Sequence, residues 1–501
     1  EGSRSYLGRS RLVPERATVT SRSEKSAEAI VVVRRRAERE GESDAMALGE
    51  ALHQKPGRPG RTERRRGEAK SASGRDEGST ARCDRDDSGG ASLLMQALTR
   101  ENLLVAWRRV KANKGSAGVD GRSITDTIEH LKAHWPRLRA DLLTGRYRPQ
   151  PVRRVQLPKP GGGVRELGIP TVTDRLIQQA LLQVLQPILD PTFSEHSYGF
   201  RPGRSAHDAV LMAQRHVQDG YRVVVDVDLE AFFDRVHHDV LMHRLSRRID
   251  DPAVLRLIRR YLRAGVMCHG VVLARDEGTP QGGPLSPLLA NVLLDEVDRT
   301  LERRGHRFVR YADDCNVYVR SPKAGERVMR GLRRLYGRLR LKVNESKSAV
   351  ASAFGRKFLG YCLRAGPQGT VKLGLAPQAV TTFKQRIREL TRRNGGRSLP
   401  QVAQDLRGYL PGWKAYFRLV QTPTVLRGLD EWLRHRLRAI QLKHWRRGTT
   451  VYRSLRAMGA PRDQAARVAG NARRWWHNSR YELNRLLPMA YFDRLGVPRL
   501  S

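Results

Sequence analysis

The hydrophobic pattern changes period several times along the chain. Leu93, Leu94, Leu98, Leu103, Leu104 and Trp107 recur at helical spacing, so ordered structure is expected to begin near Ser92. Residues 155–170 read as a strand, a glycine turn and a second strand. A helix is expected over 174–189, with Leu176, Ile177, Ala180, Leu181, Val184, Leu185 and Ile188 inward. The β-branched run 221–227 suits a buried central strand, and a helix over 239–247 follows. An apolar helix is expected over 288–297, then a hairpin over 308–319, then a helix over 326–339. From Pro377 the period becomes helical again. Val380, Phe383, Ile387 and Leu390 form one face, and Val425, Leu429, Trp432, Leu433, Leu437 and Ile440 repeat it. The other face of these helices is predicted to be basic, through Lys384, Arg388, Arg392 and Arg393, then Arg434 and Arg438.

Residues 1–92 lack such a period. They are rich in Arg, Glu, Ser and Gly, poor in aromatics, and read as disordered or only locally ordered.

Composition adds a partner class. The chain has 501 residues with 39% hydrophobic, enough for several domains. Its 94 Lys and Arg against 51 Asp and Glu give a net charge of +43. Solubility does not require that imbalance; a polyanion, most simply nucleic acid, explains it. No apolar run is long enough to span a bilayer. Cys83, Cys268, Cys315 and Cys362 form no C-x-x-C pair, which excludes a thiolate zinc knuckle and fits a reducing cytosol.

The candidate chemistry lies at strand ends. The hairpin Phe308 to Val319 carries Asp313 and Asp314 at its tip. Adjacent carboxylates repel, and a divalent cation shared with a third acid removes that cost. A solvated Asp-Asp turn is the other reading of the hairpin alone. The strand 221–227 delivers Asp226 and Asp228 on one side, so either is a candidate third ligand. Lys159 and Arg165 flank the glycine turn of 155–170 and suit a phosphate chain. The loop Gly278-Thr279-Pro280-Gln281-Gly282-Gly283-Pro284 enters a helix through two glycines, which permit close backbone approach. Ser197-Tyr198-Gly199-Phe200-Arg201 reads as a loop against a nucleic-acid backbone, and Trp475, Trp476 and Tyr481 among arginines can stack bases.

In order, these pieces are the loop Asn113-Lys114-Gly115-Ser116-Ala117-Gly118, Lys159/Arg165, Asp228 with Phe233, Pro280-Gln281-Gly282-Gly283, Tyr311-Ala312-Asp313-Asp314, Lys347 and Phe358-Leu359-Gly360-Tyr361. The order resembles the group II intron reverse transcriptase/maturase family over about residues 92–501. The ending, through Tyr481-Glu482-Leu483-Asn484-Arg485 and Ala490-Tyr491-Phe492, looks like the bacterial class C branch, which typically lacks a C-terminal nuclease.

The resemblance implies an α+β right-hand polymerase with fingers, a palm built on an antiparallel sheet and a helical thumb. The implied divisions are a basic extension at 1–92, an N-terminal motif and fingers at 93–222, a palm at 223–374, a thumb or maturase domain X at 375–448 and a basic DNA-binding domain at 449–501. By position, Asp228, Asp313 and Asp314 match the carboxylates that bind two Mg²⁺ ions. Lys159, Arg165, Phe233 and Gln281 match the deoxynucleotide-binding residues, with Phe233 as the gate against a ribose 2′-hydroxyl. Lys347 lies where a general acid sits, and Phe358, Leu359, Gly360 and Tyr361 look like the primer grip. Lys384, Arg388, Arg392, Arg393, Arg434 and Arg438 are the candidate RNA contacts. The implied partners are intron RNA, target DNA with a DNA primer, and deoxynucleoside triphosphates, in a bacterial cytoplasm. A splicing factor with a dead polymerase is the alternative of another class, but such proteins tend to lose carboxylates that survive here. A defence-associated reverse transcriptase is the other alternative.

Overall fold

The computed structural model describes residues 92–158, 164–268, 271–273, 277–279 and 282–501. The expected disorder over 1–92, the glycine turn, Lys159 and Gln281 therefore fall outside the described residues, apart from Ser92. The chain divides into two compact units, one of 92–192 with Val236–Leu289 and one of Phe193–Arg235 with Ala290–Ser501.

The first unit is organised by the helix Val172–Leu189, which is buried nearly all round. Thr171 caps it and shares Asp174 with Tyr147, whose hydroxyl lies 2.6 Å from that carboxylate. Burial raises Asp174, against hydrogen bonds from Thr171 and Tyr147. A four-stranded sheet runs in the order Val164–Ile169, Val152–Pro158, Val266–Cys268, Val271–Leu273. The basic glycine loop packs on the start of the buried helix. Arg175 donates to the Ser116 carbonyl at 2.6 Å, and a Cβ on Gly118 would meet the Thr171 backbone at 2.6 Å.

The second unit contains an antiparallel sheet in the order Arg307–Tyr311, Asp314–Val319, Val223–Val227, Ala349–Ser352. Its central strand is covered on both faces, as its β-branched run predicts. On one face the helix Pro322–Arg338 comes close, because Gly325 has no Cβ to meet Val350 and Val225. On the other, Val224, Val309 and Tyr318 join a core with the helix Ala206–Gln218. That core continues through a small sheet, Val371–Leu375, Tyr361–Ala365 and Lys357–Phe358, into the helices Pro377–Leu390, Leu399–Tyr416 and Pro423–Trp445.

The class is α+β, as expected, and the helical periods hold except at Ile188, which was expected inward but is exposed, because it lies in the last turn of its helix. Phe383 and Ile387 are buried in their helix, and Leu429, Leu433, Leu437 and Ile440 in theirs. Two basic residues do not follow the pattern. Arg434 and Arg438 are buried, so the expected RNA contacts at these two positions are corrected. Arg434 pairs with Asp430 at 3.0 Å and bonds the carbonyls of Val497 and Pro498. Arg438 donates to the Leu487 carbonyl at 2.8 Å and lies over Phe492. The chain's last residues fold over this side of the helix and need its guanidinium donors for their carbonyls.

Candidate active site

The tip of the hairpin is a two-residue turn. Tyr311 and Asp314 close the ladder, leaving Ala312 and Asp313 between them. Ala312 has φ of 59°, a left-handed conformation that disfavours a residue with a side chain. Three neighbours hold it. Arg310 donates to the Ala312 carbonyl at 2.8 Å. The backbone of 196–198 pairs with the outer strand, through Tyr198 N to Arg310 O and Arg310 N to His196 O, each at 2.9 Å. Gly199 then passes so close that a Cβ there would lie 2.2 Å from the Ala312 nitrogen. The loop read as a nucleic-acid contact is thus a brace for the turn. Its Arg201 is buried and bonds the carbonyls of Ser194 and Ser197.

Asp228 reaches the same end of the sheet. Val227 is opposite Cys315, so the antiparallel register carries Asp228 to a position opposite Asp314. Its backbone is fixed on both sides, by Asp228 N to Ser348 Oγ at 3.0 Å and Asn344 N to Asp228 O at 2.8 Å. Lys347 Nζ lies 3.4 Å from its carboxylate. Asp226, two residues inward, is instead engaged by Arg356 at 2.8 Å.

These charges act on one another. Asp314 keeps a solvent-facing side chain, yet its carboxyl is pushed up to about 8. Displacement of water by the surrounding protein contributes most, then the charges of Asp313, Asp228 and Asp226, against a pull from Lys357. Burial and like charge thus act together against ionising Asp314. Its donors are carboxylate oxygens without sulfur or imidazole, a set that fits a hard divalent cation. Among the described residues no three acidic, His or Cys side chains close into a ready metal cage.

The other predicted residues lie on separate elements. Phe233 lies in the short turn Phe232–Asp234, half-buried, with its ring edge-on to Phe232 at 5.1 Å. Arg165 is in a strand opposite Leu157, but its side chain, Lys159 and Gln281 lie outside the described residues. Gly282 has φ of 137°, and a Cβ on it would be 2.6 Å from the Gly168 carbonyl, so the protein's own strand makes the close approach there. Leu359 and Gly360, with φ of 49° and 80°, form the tight turn between Phe358 and Tyr361. Tyr361 is turned into the core, where its hydroxyl donates to the Tyr416 carbonyl. Lys384 and Arg388 both lie over Trp432, at 5.6 and 5.7 Å, and Arg393 over Trp475 at 5.4 Å. Arg392 is exposed.

Sequence reasoning missed the network behind the turn. Arg310 and Asp298 are completely buried, and Arg310 also reaches Asn291 at 2.9 Å and Ser197 at 2.7 Å. The available signal was a charged residue inside an apolar strand run, Phe308-Val309-Arg310.

Residues 157–363 match the family described as reverse transcriptase (RNA-dependent DNA polymerase), and residues 380–459 match the group II intron maturase-specific domain. Protein YkfC of Escherichia coli (strain K12) is 35% identical over 319 residues, which are 54% of this chain and 84% of that protein. The chain belongs to the group II intron reverse transcriptase and maturase family. Group II intron-encoded protein LtrA of Lactococcus lactis subsp. cremoris is 29% identical over 338 residues, 54% of this chain and 56% of LtrA. The putative COX1/OXI3 intron 2 protein of Saccharomyces cerevisiae is 32% identical over 210 residues, 40% of this chain and 24% of that protein. The chain thus spans most of YkfC but about half of LtrA. Its reaction class is RNA-directed DNA synthesis, and reverse transcriptases of this family use divalent metal ions. No helix among the described residues is long and apolar enough to cross a membrane.

Proposed function

We propose that this chain is an intron-encoded polymerase and maturase that binds its own group II intron RNA, assists its splicing and copies the intron into DNA during homing. The observation that carries the polymerase half is the meeting of Asp228 with Asp313 and Asp314 at one end of an antiparallel sheet, with Asp314 pushed up to about 8. Asp228, Asp313 and Asp314 would hold two Mg²⁺ ions. When bound, these lower the pKa of the attacking hydroxyl and neutralise charge on the leaving pyrophosphate.

The chain's own residues orient the rest. Arg356 engages Asp226, which leaves Asp228 as the strand-end carboxylate facing the turn. Lys347, 3.4 Å from Asp228, would give a proton to the departing pyrophosphate. Lys159 and Arg165 would bind the triphosphate, Gln281 would lie against the new base pair, and Phe233 would crowd a ribose 2′-hydroxyl. The Leu359-Gly360 backbone turn, rather than the buried Tyr361 side chain, would support the primer. Exposed Arg388, Arg392 and Arg393 with half-buried Lys384 would supply a basic face for RNA, and residues 449–501 would bind target DNA. Splicing assistance by this route is binding, with the chemistry left to the RNA.

The test is Asp313→Asn with Asp314→Asn, assayed for cDNA synthesis and for intron RNA binding. Loss of synthesis with RNA affinity kept within a few-fold is expected. Synthesis at the unmodified rate would remove the site assignment.

A further inference from the structure

A second basic site lies at the end of the four-stranded sheet remote from the acidic turn. Arg307 opens the strand that ends at Tyr311, and Val319 closes the strand that begins at Asp314. Five residue steps separate Asp314 from Val319, about 17 Å at the usual strand rise. Here the sheet end, the turn after the helix Ser286–Arg303 and the helix Pro322–Arg338 surround an open cleft of about 450 Å³. Its rim is Arg304, Arg307, Arg320 and Arg327, with His306 and Tyr221 between them. Its floor is apolar, through Leu301, Val328 and Leu332.

Three properties set this cleft apart from a solvated basic face. No Asp or Glu lines it, and none of its four arginines has an acidic partner among the described residues. Some other exposed arginines of this unit do have one, as Arg333 has Glu345 at 2.7 Å and Arg386 has Glu389 at 2.8 Å. Gathering like charges around a concavity costs Coulomb energy that a polyanion returns. The site also has an aromatic partner: Arg320 lies over the Tyr221 ring at 5.0 Å. A guanidinium already stacked on a ring presents its remaining N–H groups outward in a fixed plane, the geometry that pairs with phosphate oxygens.

We propose that this cleft grips the phosphodiester backbone of the intron RNA, at a site separate from both the acidic turn and the basic face around Trp432. It rests on the reading of the chain as an intron RNA binder and adds a second contact region to it. RNA held there would lie on the far end of the catalytic sheet, so template copying and RNA retention would not compete for one surface.

The test uses the full chain carrying Arg307→Gln, Arg320→Gln and Arg327→Gln together. Affinity for transcribed intron RNA is measured across a salt series, beside DNA synthesis on a short oligo(rA) template with an oligo(dT) primer. Losing three phosphate contacts is expected to raise the Kd roughly tenfold or more and to flatten the log–log salt slope by about 2–3. Synthesis on the short template and the melting temperature should stay unchanged. An unchanged Kd and slope overturn the proposal. So does binding of inorganic pyrophosphate that the variant loses while RNA affinity persists, which would assign the cleft to a small phosphate ligand. As a second measurement, ultraviolet crosslinking of the unmodified protein to the RNA should label Tyr221; labels confined to residues 377–501 also overturn it. Failure of the unmodified protein to bind intron RNA would instead remove the maturase reading, a result distinct from either.

Discussion

Arg310 and Asp298 form an ion pair with no solvent exposure, with Nη2 of Arg310 2.6 Å from Asp298 Oδ2 and its Nε 2.8 Å from Oδ1. Burial works against the guanidinium charge, but Asp298 outweighs it and holds Arg310 above its ordinary value. The same guanidinium bonds the Ala312 carbonyl. The pair thus connects the helix Ser286–Arg303 to the left-handed residue of the acidic turn. Asp298→Asn strips the charge from one partner and should cost about 3–5 kcal/mol of stability. Replacing both, by Arg310→Met with Asp298→Leu, should restore much of the melting temperature, since apolar groups substitute well for buried pairs. Primer extension should stay impaired in the double variant, because the Ala312 carbonyl has lost its donor. Full activity there would show that the turn needs no such support.

Lys347 touches the same acidic end from the opposite side. Its ammonium is largely exposed and 3.4 Å from Asp228, so its contribution to stability is small. Its proposed role is in the chemical step. Lys347→Ala should therefore lower the single-turnover rate of nucleotide addition by roughly 10²-fold, the range for losing a general acid. The apparent KM for deoxynucleotide should change little. A rise in KM at constant rate would instead mark Lys347 as a triphosphate-binding residue.

The basic helices separate into two classes that one substitution series can distinguish. Arg388, Arg392 and Arg393 are exposed and Lys384 is half-buried, whereas Arg434 is fully buried against Asp430. Changing the first four of these together to Gln should weaken intron RNA binding and flatten its salt slope by about 3. The melting temperature should hold. Arg434→Ala should do the reverse, lowering stability by about 3–5 kcal/mol by leaving Asp430 uncompensated. A matched fall in RNA affinity for folded Arg434→Ala would return that residue to the RNA face.

That split also marks where the sequence stops being legible. Period alone found the helices around Phe383 and Leu433, because one apolar face suffices to define them. It misassigned Arg434 and Arg438, because a second face of their helix is covered by residues 49 to 64 positions later: Leu487, Asp493, Val497 and Pro498. No local pattern encodes that return of the chain. The Tyr311 to Asp314 turn was legible as an acidic hairpin tip because its strands and its two acids are written in adjacent residues. Its braces, Gly199 and Asp298, come from distant segments that only the fold brings to it. Asp226 and Asp228 were indistinguishable by alternation, and the difference lies in Arg356 and Lys347, each more than a hundred residues away.

His216 supplies a pH dependence away from the carboxylates proposed as catalytic. It is buried on the helix Ala206–Gln218, and its imidazole is lowered to about 4. Burial is the main cause, then the charge of His196, with Arg307 adding to it and Asp219 and a backbone bond at Phe308 opposing. In the unfolded chain the group titrates near 6.5. Between these values the unfolded state takes the proton and the folded state does not, so acid favours unfolding. The stability held by neutral His216 is complete above pH 6.5 and is lost as pH falls toward 4, at a cost of about 2 kcal/mol by pH 5. Other groups titrate in the same window, so the readout is a difference. Melting temperatures of the unmodified protein and His216→Leu, compared at pH 7 and pH 5, should converge by several degrees at the lower pH. A constant gap between the two would mean that His216 is not the group that senses acid.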